Sequence, residues 1–247
     1  MSRPPPEPLD GLLVGSLDYG ETDRILRLLS PAVGRRAILA RRARQGGRRG
    51  HGALEVGNKV ALQVRKGHGD LYHLEEGELI DGHIHARSDL DRLATLAYGC
   101  EVAALLARED HPEPRLYGLL DMLLTLLDAM SGPPGGLLRL AFEAKALTFA
   151  GYAPVLDRCA ACVGPLDGEL RWAADSGGAV HLRCGSGEPV DAAWLRAIDA
   201  ARRAPMRELI DASPPPGPAW GLAALIEHHT GQGLKSRALL STLPPPG

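Results

Sequence analysis

Four residues in the second half of the chain have the types and spacing of metal ligands. Cys159 and Cys162 form a Cys-x-x-Cys pair, and His181 and Cys184 form a His-x-x-Cys pair after a gap of 18 residues. A two-residue gap lets both members of a pair reach one ion, and Zn²⁺ prefers a tetrahedron of thiolate and imidazole ligands. The spacing therefore predicts a zinc site built from two short knuckles.

The complete ligand set favours a structural zinc over a catalytic one. A catalytic zinc keeps an open coordination position, whereas here every position has a protein ligand. The sequence has no His-Glu-x-x-His motif, no His-x-Glu paired with Pro-Cys-x-x-Cys, no phosphate-binding P-loop and no Gly-x-Ser-x-Gly elbow. We therefore predict that the protein is not an enzyme. A lost metal, a catalytic zinc, and a set of three thiolates without His181 remain as alternatives.

The second chemical feature is a strongly basic stretch. From Gly34 to Lys66 there are ten Lys and Arg residues and one acid, a formal charge of +9, although the whole chain carries −2. Arginine binds phosphate through a planar fork, and each neutralised phosphate releases a counterion. The alternative is a solvated loop in an arginine-rich protein. The predicted nucleic-acid contacts are Arg35, Arg36, Arg41, Arg42, Arg44, Arg48, Arg49, Arg65 and Lys66.

Two smaller features could each bind a metal ion or could have a purely structural role. The acidic turn from Asp18 to Asp23 could hold a divalent ion, but a tight turn with Asp23 as a capping residue is favoured. His83 and His85 form a His-x-His pair that could bind a metal, but solvated linker residues are favoured. Aromatic residues make up only 4% of the chain, which predicts electrostatic binding with little base recognition.

The elements that must position these residues change in type near residue 83. Before it, short apolar runs separated by glycine- and proline-containing turns predict β-strands. Five strands with one long basic connection suit a small closed barrel, for which the OB-fold is the commonest solution. The predicted strands are Leu12–Leu17, Arg24–Ser30, Arg35–Arg41, Lys59–Arg65 and Asp70–Ile80.

After Ser88 the apolar spacing becomes helical. Ser88 followed by Asp91 resembles a capping box at the start of the first helix. Further helices are predicted at 115–130, 136–150, 191–204 and 218–230. We therefore predict an α+β protein with a disordered tail at 1–8, an OB-fold domain at 9–82, and a helical domain at 83–247 that carries a zinc insert at about 157–187.

The composition and the N-terminal sequence indicate where in the cell the protein works. The chain is 45% hydrophobic, begins without an apolar signal region, and has no apolar run of membrane-spanning length. We therefore expect a cytoplasmic protein with no membrane partner. In a reducing compartment, Cys-x-x-Cys pairs more often bind metal than form disulfides.

Five segments together resemble the RecO family of bacterial recombination mediators, in register over nearly the whole chain. In the second knuckle, His181 stands where the family usually has Cys. The segments are Asp18-Tyr-Gly-Glu-Thr-Asp-Arg-Ile-Leu26, Leu93–Ala104, Gly151-Tyr-Ala-Pro-Val-Leu-Asp-Arg-Cys159-Ala-Ala-Cys162, Gly177-Gly-Ala-Val-His181-Leu-Arg-Cys184 and His228-His-Thr with Lys235-Ser-Arg237-Ala-Leu-Leu.

The resemblance implies an OB-fold joined to a helical domain with a structural zinc, and a non-enzymatic role in recombinational repair in the nucleoid. It implies binding of single- and double-stranded DNA, annealing of complementary strands, contacts with RecR and the C-terminal tail of SSB, and help for RecA in replacing SSB. The alternative is a zinc-stapled RNA-binding module without catalytic activity. The family's DNA contacts map onto Arg35, Arg36, Arg41, Arg42 and Arg44.

Overall fold

The computed structural model describes residues 5–44, 54–67, 69 and 71–241. Arg48 and Arg49, two of the predicted contacts, lie outside the described residues, as do the first four residues of the predicted tail. The chain forms two compact units, one from the described parts of Met1–Ser88 with Leu96–Asp128, the other from those of Asp89–Thr95 with Ala129–Gly247. The first unit therefore extends past the predicted boundary at residue 83.

Five strands of the first unit close into a barrel in the order β1-β2-β3-β5-β4. All neighbouring strands are antiparallel except β3 and β5. This five-stranded closed barrel is the predicted OB-fold. The strands are β1 (Glu7–Tyr19), β2 (Asp23–Ser30), β3 (Gly34–Ala40), β4 (Lys59–Lys66) and β5 (Leu71–Asp81).

The first strand begins earlier than the sequence indicated. Glu7 and Pro8 were expected in a disordered tail, but they pair with Val64 and Gln63 of β4. Pro8 is tolerated because β1 pairs with β2 only from Leu12 onwards, so the missing N–H at Pro8 leaves no gap in a second ladder.

The barrel interior is filled by Tyr72 and by aliphatic side chains that alternate along the strands. Alternate residues of a strand point to opposite faces, so the apolar positions of β2, β3 and β4 meet inside. Burial of one such side chain contributes about 1.5–3 kcal/mol. The buried residues of this core include Leu13, Leu26, Leu28, Ile38, Val60, Leu62, Val64 and Tyr72.

Helices α1 (Leu90–Leu106) and α2 (Pro114–Ala129) follow the barrel. Most of both helices belongs to the barrel unit, where Lys59 Nζ lies 3.0 Å from Asp121 Oδ2 of α2. The helix cap is one residue later than predicted. Asp89 Oδ1 accepts a hydrogen bond from the N–H of Arg92 at 3.0 Å, while the Ser88 hydroxyl donates to His85 O.

In the second unit, the predicted zinc insert contains β6 (Leu170–Ala173) and β7 (Gly178–His181), which form a small antiparallel sheet with β8 (Glu188–Val190) in the order β7-β6-β8. It follows α3 (Gly136–Phe149) and precedes α4 (Ala192–Arg203), with Asp191 capping α4 through bonds from two backbone N–H groups. Among the described residues, no helix has both the length and the apolar character to cross a bilayer. Helices α5 (Gly221–Thr230) and α6 (Ser236–Ser241) complete the second unit among the described residues.

Candidate metal centre and candidate nucleic-acid surface

The four predicted metal ligands converge on one point. Cys159, Cys162, His181 and Cys184 each offer one ligand atom, and these atoms lie within 4.8 Å of one another. His181 Nδ1 is 3.5 Å from Cys162 Sγ and 3.7 Å from Cys184 Sγ. Zn–S bonds of about 2.3 Å and Zn–N bonds of about 2.0 Å at tetrahedral angles give an N···S edge of about 3.5 Å. The cluster therefore has the dimensions of a tetrahedral metal site.

Two backbone turns present these ligands. In the first, the N–H of Cys159 donates to Gly164 O and the N–H of Val163 donates to Cys159 O, both at 2.9 Å. In the second, His181 ends β7, and the N–H of Cys184 donates back to His181 O at 2.8 Å. The two turns lie together because the N–H of Ala160, in the first turn, donates to Ala179 O of β7 at 2.8 Å. The predicted pair of knuckles is present.

The outer contacts of His181 fix which ring nitrogen faces the sulfur atoms. His181 Nε2 lies 2.9 Å from Pro165 O and 3.2 Å from Asp167 Oδ1. A carbonyl oxygen can only accept, so Nε2 carries the proton and donates it. In the neutral imidazole, Nδ1 then presents its lone pair towards Cys162 and Cys184, which is the arrangement of a metal-binding histidine held by a carbonyl or carboxylate.

The sulfur atoms differ in environment. Backbone N–H groups of Cys162, His181 and Ala161 donate to the Cys159 sulfur and lower the pKa of that thiol to about 6. Burial and then the neighbouring sulfurs of Cys162 and Cys159 raise the pKa of Cys184. A thiolate is the metal-binding form, and a bound cation would offset the repulsion between adjacent sulfurs. The chemistry of the donor set thus fits a metal ion.

Several of the predicted DNA-contacting arginines are engaged inside the barrel unit. Arg35 Nη2 is 2.8 Å from Glu109 Oε1, and its Nη1 donates to Ala104 O. Arg36 Nε is 2.8 Å from Asp110 Oδ1, and its guanidinium lies 4.4 Å from the centre of the Tyr72 ring. These two side chains connect β3 to the end of α1 and the segment after it.

The glycine before these arginines explains how close that segment comes. Gly34 has a φ of 71°, and a Cβ placed there would lie 2.1 Å from His111 O. The N–H of Arg35 donates to Arg108 O at 2.9 Å, so the backbones themselves are in contact. Only a residue without a side chain fits this crossing.

Arg44 and Arg65 are also paired with carboxylates. Arg44 Nε is 3.5 Å from Asp18 Oδ2 across the β1–β2 turn, and Arg65 Nε is 2.8 Å from Glu75 Oε1. Asp18 also accepts from Arg24 Nε at 3.1 Å. A phosphate would have to compete with these internal carboxylates for the guanidinium groups. The acidic turn thus serves to hold arginines, in agreement with the favoured interpretation of a tight turn.

Three predicted contacts remain exposed and make no ion pair with any described residue: Arg41, Arg42 and Lys66. Arg42 has a φ of 54°, and its N–H donates to Asp23 Oδ1 at 2.8 Å. This bond lowers the pKa of the Asp23 carboxyl. Asp23 therefore fixes the turn after β3, from which Arg41 and Arg42 extend into solvent.

Arg27 is an exposed cation that the sequence interpretation missed. It lies on β2 between Gly15 of β1 and Ala37 of β3, and it makes no ion pair with a described residue. A Cβ on Gly15 would lie 3.3 Å from Arg27 Cδ, so the glycine leaves room for the arginine stem. The alternation of apolar and polar residues in β2 could have identified it. Leu26 and Leu28 point into the barrel, so Arg27 between them points outward.

Exposed apolar side chains share this outer face. Leu17 and Tyr19 follow Gly15 at alternate positions of β1 and are 59% and 55% exposed. OB-folds bind oligonucleotides on the face of their second and third strands and on the β1–β2 and β4–β5 loops. We define the outer barrel face as Leu17, Tyr19, Arg27, Arg41 and Arg42, whereas Lys66 is exposed at the end of β4.

The two histidines of the His-x-His pair lie in different environments. His83 was expected in solvent but is 1% exposed, and its Nδ1 lies 2.8 Å from Gly57 O. Its φ of 46° turns the chain inward after β5. His85 is exposed and lies near Asp128, with Nδ1 3.6 Å from Oδ2.

Comparisons with known proteins agree with both parts of the structure. Residues 8–83 match the family model "Recombination protein O N terminal", and residues 87–238 match "Recombination protein O C terminal". The chain is 37% identical to a DNA repair protein RecO of Anaeromyxobacter sp. (strain K), with 96% of each chain covered. It is 36% identical to the DNA repair protein RecO of Myxococcus xanthus, covering 92% of this chain and 93% of that one.

A third relative extends the comparison. The DNA repair protein RecO of Syntrophotalea carbinolica is 35% identical over 79% of this chain and 76% of its own length. The family models together span both compact units, and the resemblance noted in the sequence is confirmed. The chain belongs to the RecO family and is a DNA repair protein of the recombination pathway.

Proposed function

We propose that this protein is a non-enzymatic mediator of recombinational repair that binds single- and double-stranded DNA through its barrel. The observation that carries the proposal is the outer barrel face, on which Arg27, Arg41 and Arg42 are exposed and make no ion pair with a described residue. An unpaired guanidinium can take a phosphate without giving up an internal partner. The paired Arg35 and Arg36 support the fold of the barrel unit and contribute less to binding.

Binding on this face is mainly electrostatic. Each phosphate contact releases counterions, so affinity falls steeply with salt. Tyr19 is the exposed aromatic side chain of the outer barrel face, so base stacking contributes at one position only. Such a surface accepts many sequences, as a repair mediator must.

Strand annealing follows from the same surface. Two complementary strands repel each other through their phosphates, and a cationic surface that contacts both lowers that repulsion. Base pairing then supplies the sequence check. No catalytic group is needed, which accords with a protein that is not an enzyme.

The partners follow from family membership. We propose that the protein acts with RecR, contacts the C-terminal tail of SSB, and helps RecA replace SSB on single-stranded DNA. Because DNA is the substrate, the protein works in the cytoplasm at the nucleoid.

The metal cluster serves structure in this proposal. Zn²⁺ is the ion that best fits three thiolates and one imidazole, and the complete set leaves no position for a reactive water. Cys159, Cys162, His181 and Cys184 would hold it. The bound ion would supply folding free energy by joining the turn before β6 to the end of β7.

The deciding experiment is strand annealing with complementary oligonucleotides, with and without SSB. We expect the Arg41→Glu/Arg42→Glu protein to lose most DNA binding and annealing. The matched control is Arg196→Glu/Arg207→Glu, which alters two exposed arginines of the second unit. Equal activity of the two variants would refute the outer barrel face as the DNA surface. Repeating the titration with RNA of the same sequence tests the RNA-binding alternative.

A further inference from the structure

The strand β5 has a free edge. It pairs with β4 as far as Asp81, but with β3 only at Leu71, Tyr72 and His73. From Leu74 to Asp81, no strand lies beside the second edge of β5 among the described residues. We call this segment the β5 edge.

Backbone groups are available along this edge. Alternate residues of a strand direct their N–H and C=O groups to opposite sides, so roughly half of these residues point away from β4. Every residue from Glu75 to Asp81 is exposed. Register shifts at Gln63/Val64 and Lys59/Val60 bracket the regular stretch Glu76–Leu79. A short template for strand pairing is therefore open to solvent.

The β5 edge is acidic. It contains Glu75, Glu76, Glu78 and Asp81 and no Lys or Arg. Arg65 pairs with Glu75, but Glu76 and Glu78 make no ion pair with a described residue. Like charges discourage two identical edges from pairing, and such charges commonly protect free strands against self-association. The same charges select a partner of opposite sign.

Exposed apolar side chains lie at one end of the β5 edge, and protection against self-association does not explain them. Leu79 is 41%, Ile80 54% and Ile84 71% exposed. A Cβ on Gly82 would lie 3.4 Å from Ile84 Cγ1 and 3.7 Å from Leu79 Cδ2, which places these two side chains around the same spot. A strand protected only against aggregation gains nothing from exposed Leu and Ile, whereas a bound peptide can be anchored by them.

We infer that the β5 edge is a docking site for an extended basic segment of a partner protein, which adds to the barrel as a further strand. The partner's backbone would pair with the outward N–H and C=O groups of β5, as in other cases of strand addition. Its Lys or Arg side chains would meet Glu76 and Glu78, and an apolar side chain would contact Leu79 and Ile84. Nucleic acid is repelled here, so the site is separate from the outer barrel face.

The test uses a fluorescent peptide of about ten residues that alternates Val or Thr with Lys or Arg, titrated into the full-length protein. Two further peptides have the same sequence with N-methyl groups on the odd or the even residues, which removes the N–H donors of one edge while keeping the charge. We expect saturable binding of the parent peptide and roughly tenfold weaker binding of one methylated form. Equal affinities of all three peptides would mean charge attraction alone and would overturn the inference.

Variants locate the site. Glu76→Lys/Glu78→Lys should weaken parent-peptide binding roughly tenfold or more, while the matched control Glu188→Lys/Glu208→Lys should bind normally. Circular dichroism and retained DNA binding confirm that both variants are folded. Hydrogen exchange should slow at residues 74–81 when the peptide binds. If the edge instead mediates a dimer of this chain, seen as a loss of self-association in Glu76→Lys/Glu78→Lys during sedimentation, the proposed occupant is wrong.

Discussion

Arg36 Nε lies 2.8 Å from Asp110 Oδ1, across 74 residues of sequence. A second carboxylate, on Glu7, lies 3.1 Å from the same guanidinium. This arginine therefore has a role within the fold, whereas Arg41 and Arg42 extend into solvent from the turn after the same strand. The contrast separates two kinds of basic residue within one charged stretch.

Replacing Arg36 should cost stability more than DNA affinity. We expect Arg36→Ala to lower the free energy of unfolding by about 1–2 kcal/mol, because it loses charge-assisted hydrogen bonds and the contact with Tyr72. The matched control is Arg42→Ala, which loses no side-chain ion pair with a described residue. Urea denaturation measures the first effect and DNA titration the second. If Arg36→Ala weakened DNA binding as much as Arg42→Ala while leaving stability unchanged, the internal role would be wrong.

Neutralising Arg41 and Arg42 should change the salt dependence of binding. Each phosphate contact contributes about −0.7 to the slope of log K against log salt for single strands, so Arg41→Gln/Arg42→Gln should flatten the slope by about 1.4. Fluorescence anisotropy over a salt series measures it. The control Arg196→Gln/Arg207→Gln should keep the parent slope, and an unchanged slope in Arg41→Gln/Arg42→Gln would remove these residues from the contact surface.

Arg27 should behave as a single additional contact. We expect Arg27→Gln to flatten the same slope by about 0.7, and Arg27→Lys to preserve most of it because the charge remains. Stability should change little, since the side chain is exposed and makes no ion pair with a described residue. If Arg27→Gln and the parent protein bound DNA equally at every salt concentration, Arg27 would not be a DNA contact.

Removal of the metal should destabilise the second unit. We expect one zinc per chain by elemental analysis, and a lower Tm for Cys159→Ser or after chelation, because binding free energy is folding free energy. His181→Cys should retain the metal, whereas His181→Ala should lose it or hold it weakly. If Cys159→Ser kept its Tm while annealing vanished, the ion would serve function rather than structure.

Asp167 tests the outer contacts of the cluster. Its Oδ1 lies 3.2 Å from His181 Nε2, so Asp167→Ala should weaken metal affinity about tenfold or more by loosening the imidazole. Competition with a chromophoric chelator gives the affinity. The neighbouring Asp157→Ala, whose carboxylate contacts Arg158 instead, is the control and should bind metal like the parent.

Local signals in the sequence predicted the parts of this protein that local physics determines. The alternation in Arg24–Ser30 reflects a strand with one face in the core, and it is β2 in the structure. The ligand spacing around Cys159 and His181 places short turns next to one another, and the cluster is present. The residue that caps α1 is Asp89 and not the predicted Ser88. Either of these adjacent residues could accept from the free N–H groups of the first turn, and their spacing in the sequence does not decide between them.

Contacts between residues far apart in the chain could not be predicted from the sequence. Nothing near Arg35 indicates that Glu109 will neutralise it, because the two residues are 74 positions apart in the sequence, with β4, β5 and α1 between them. His83 has no local apolar pattern, and its burial depends on a carbonyl at Gly57. Arg27 differs from both, because its outward direction follows from the inward positions on either side.

The close approach of the Gly34 backbone to the backbone at His111 matters for the design of truncated forms of this protein. A fragment that stops at residue 83 would keep all five strands but leave Arg35 and Arg36 without Glu109 and Asp110. Its exposed guanidinium groups would raise its affinity for any polyanion, so measurements on such a fragment would overstate what the intact barrel does with DNA. A truncation that respects the chain's own contacts must reach Asp128.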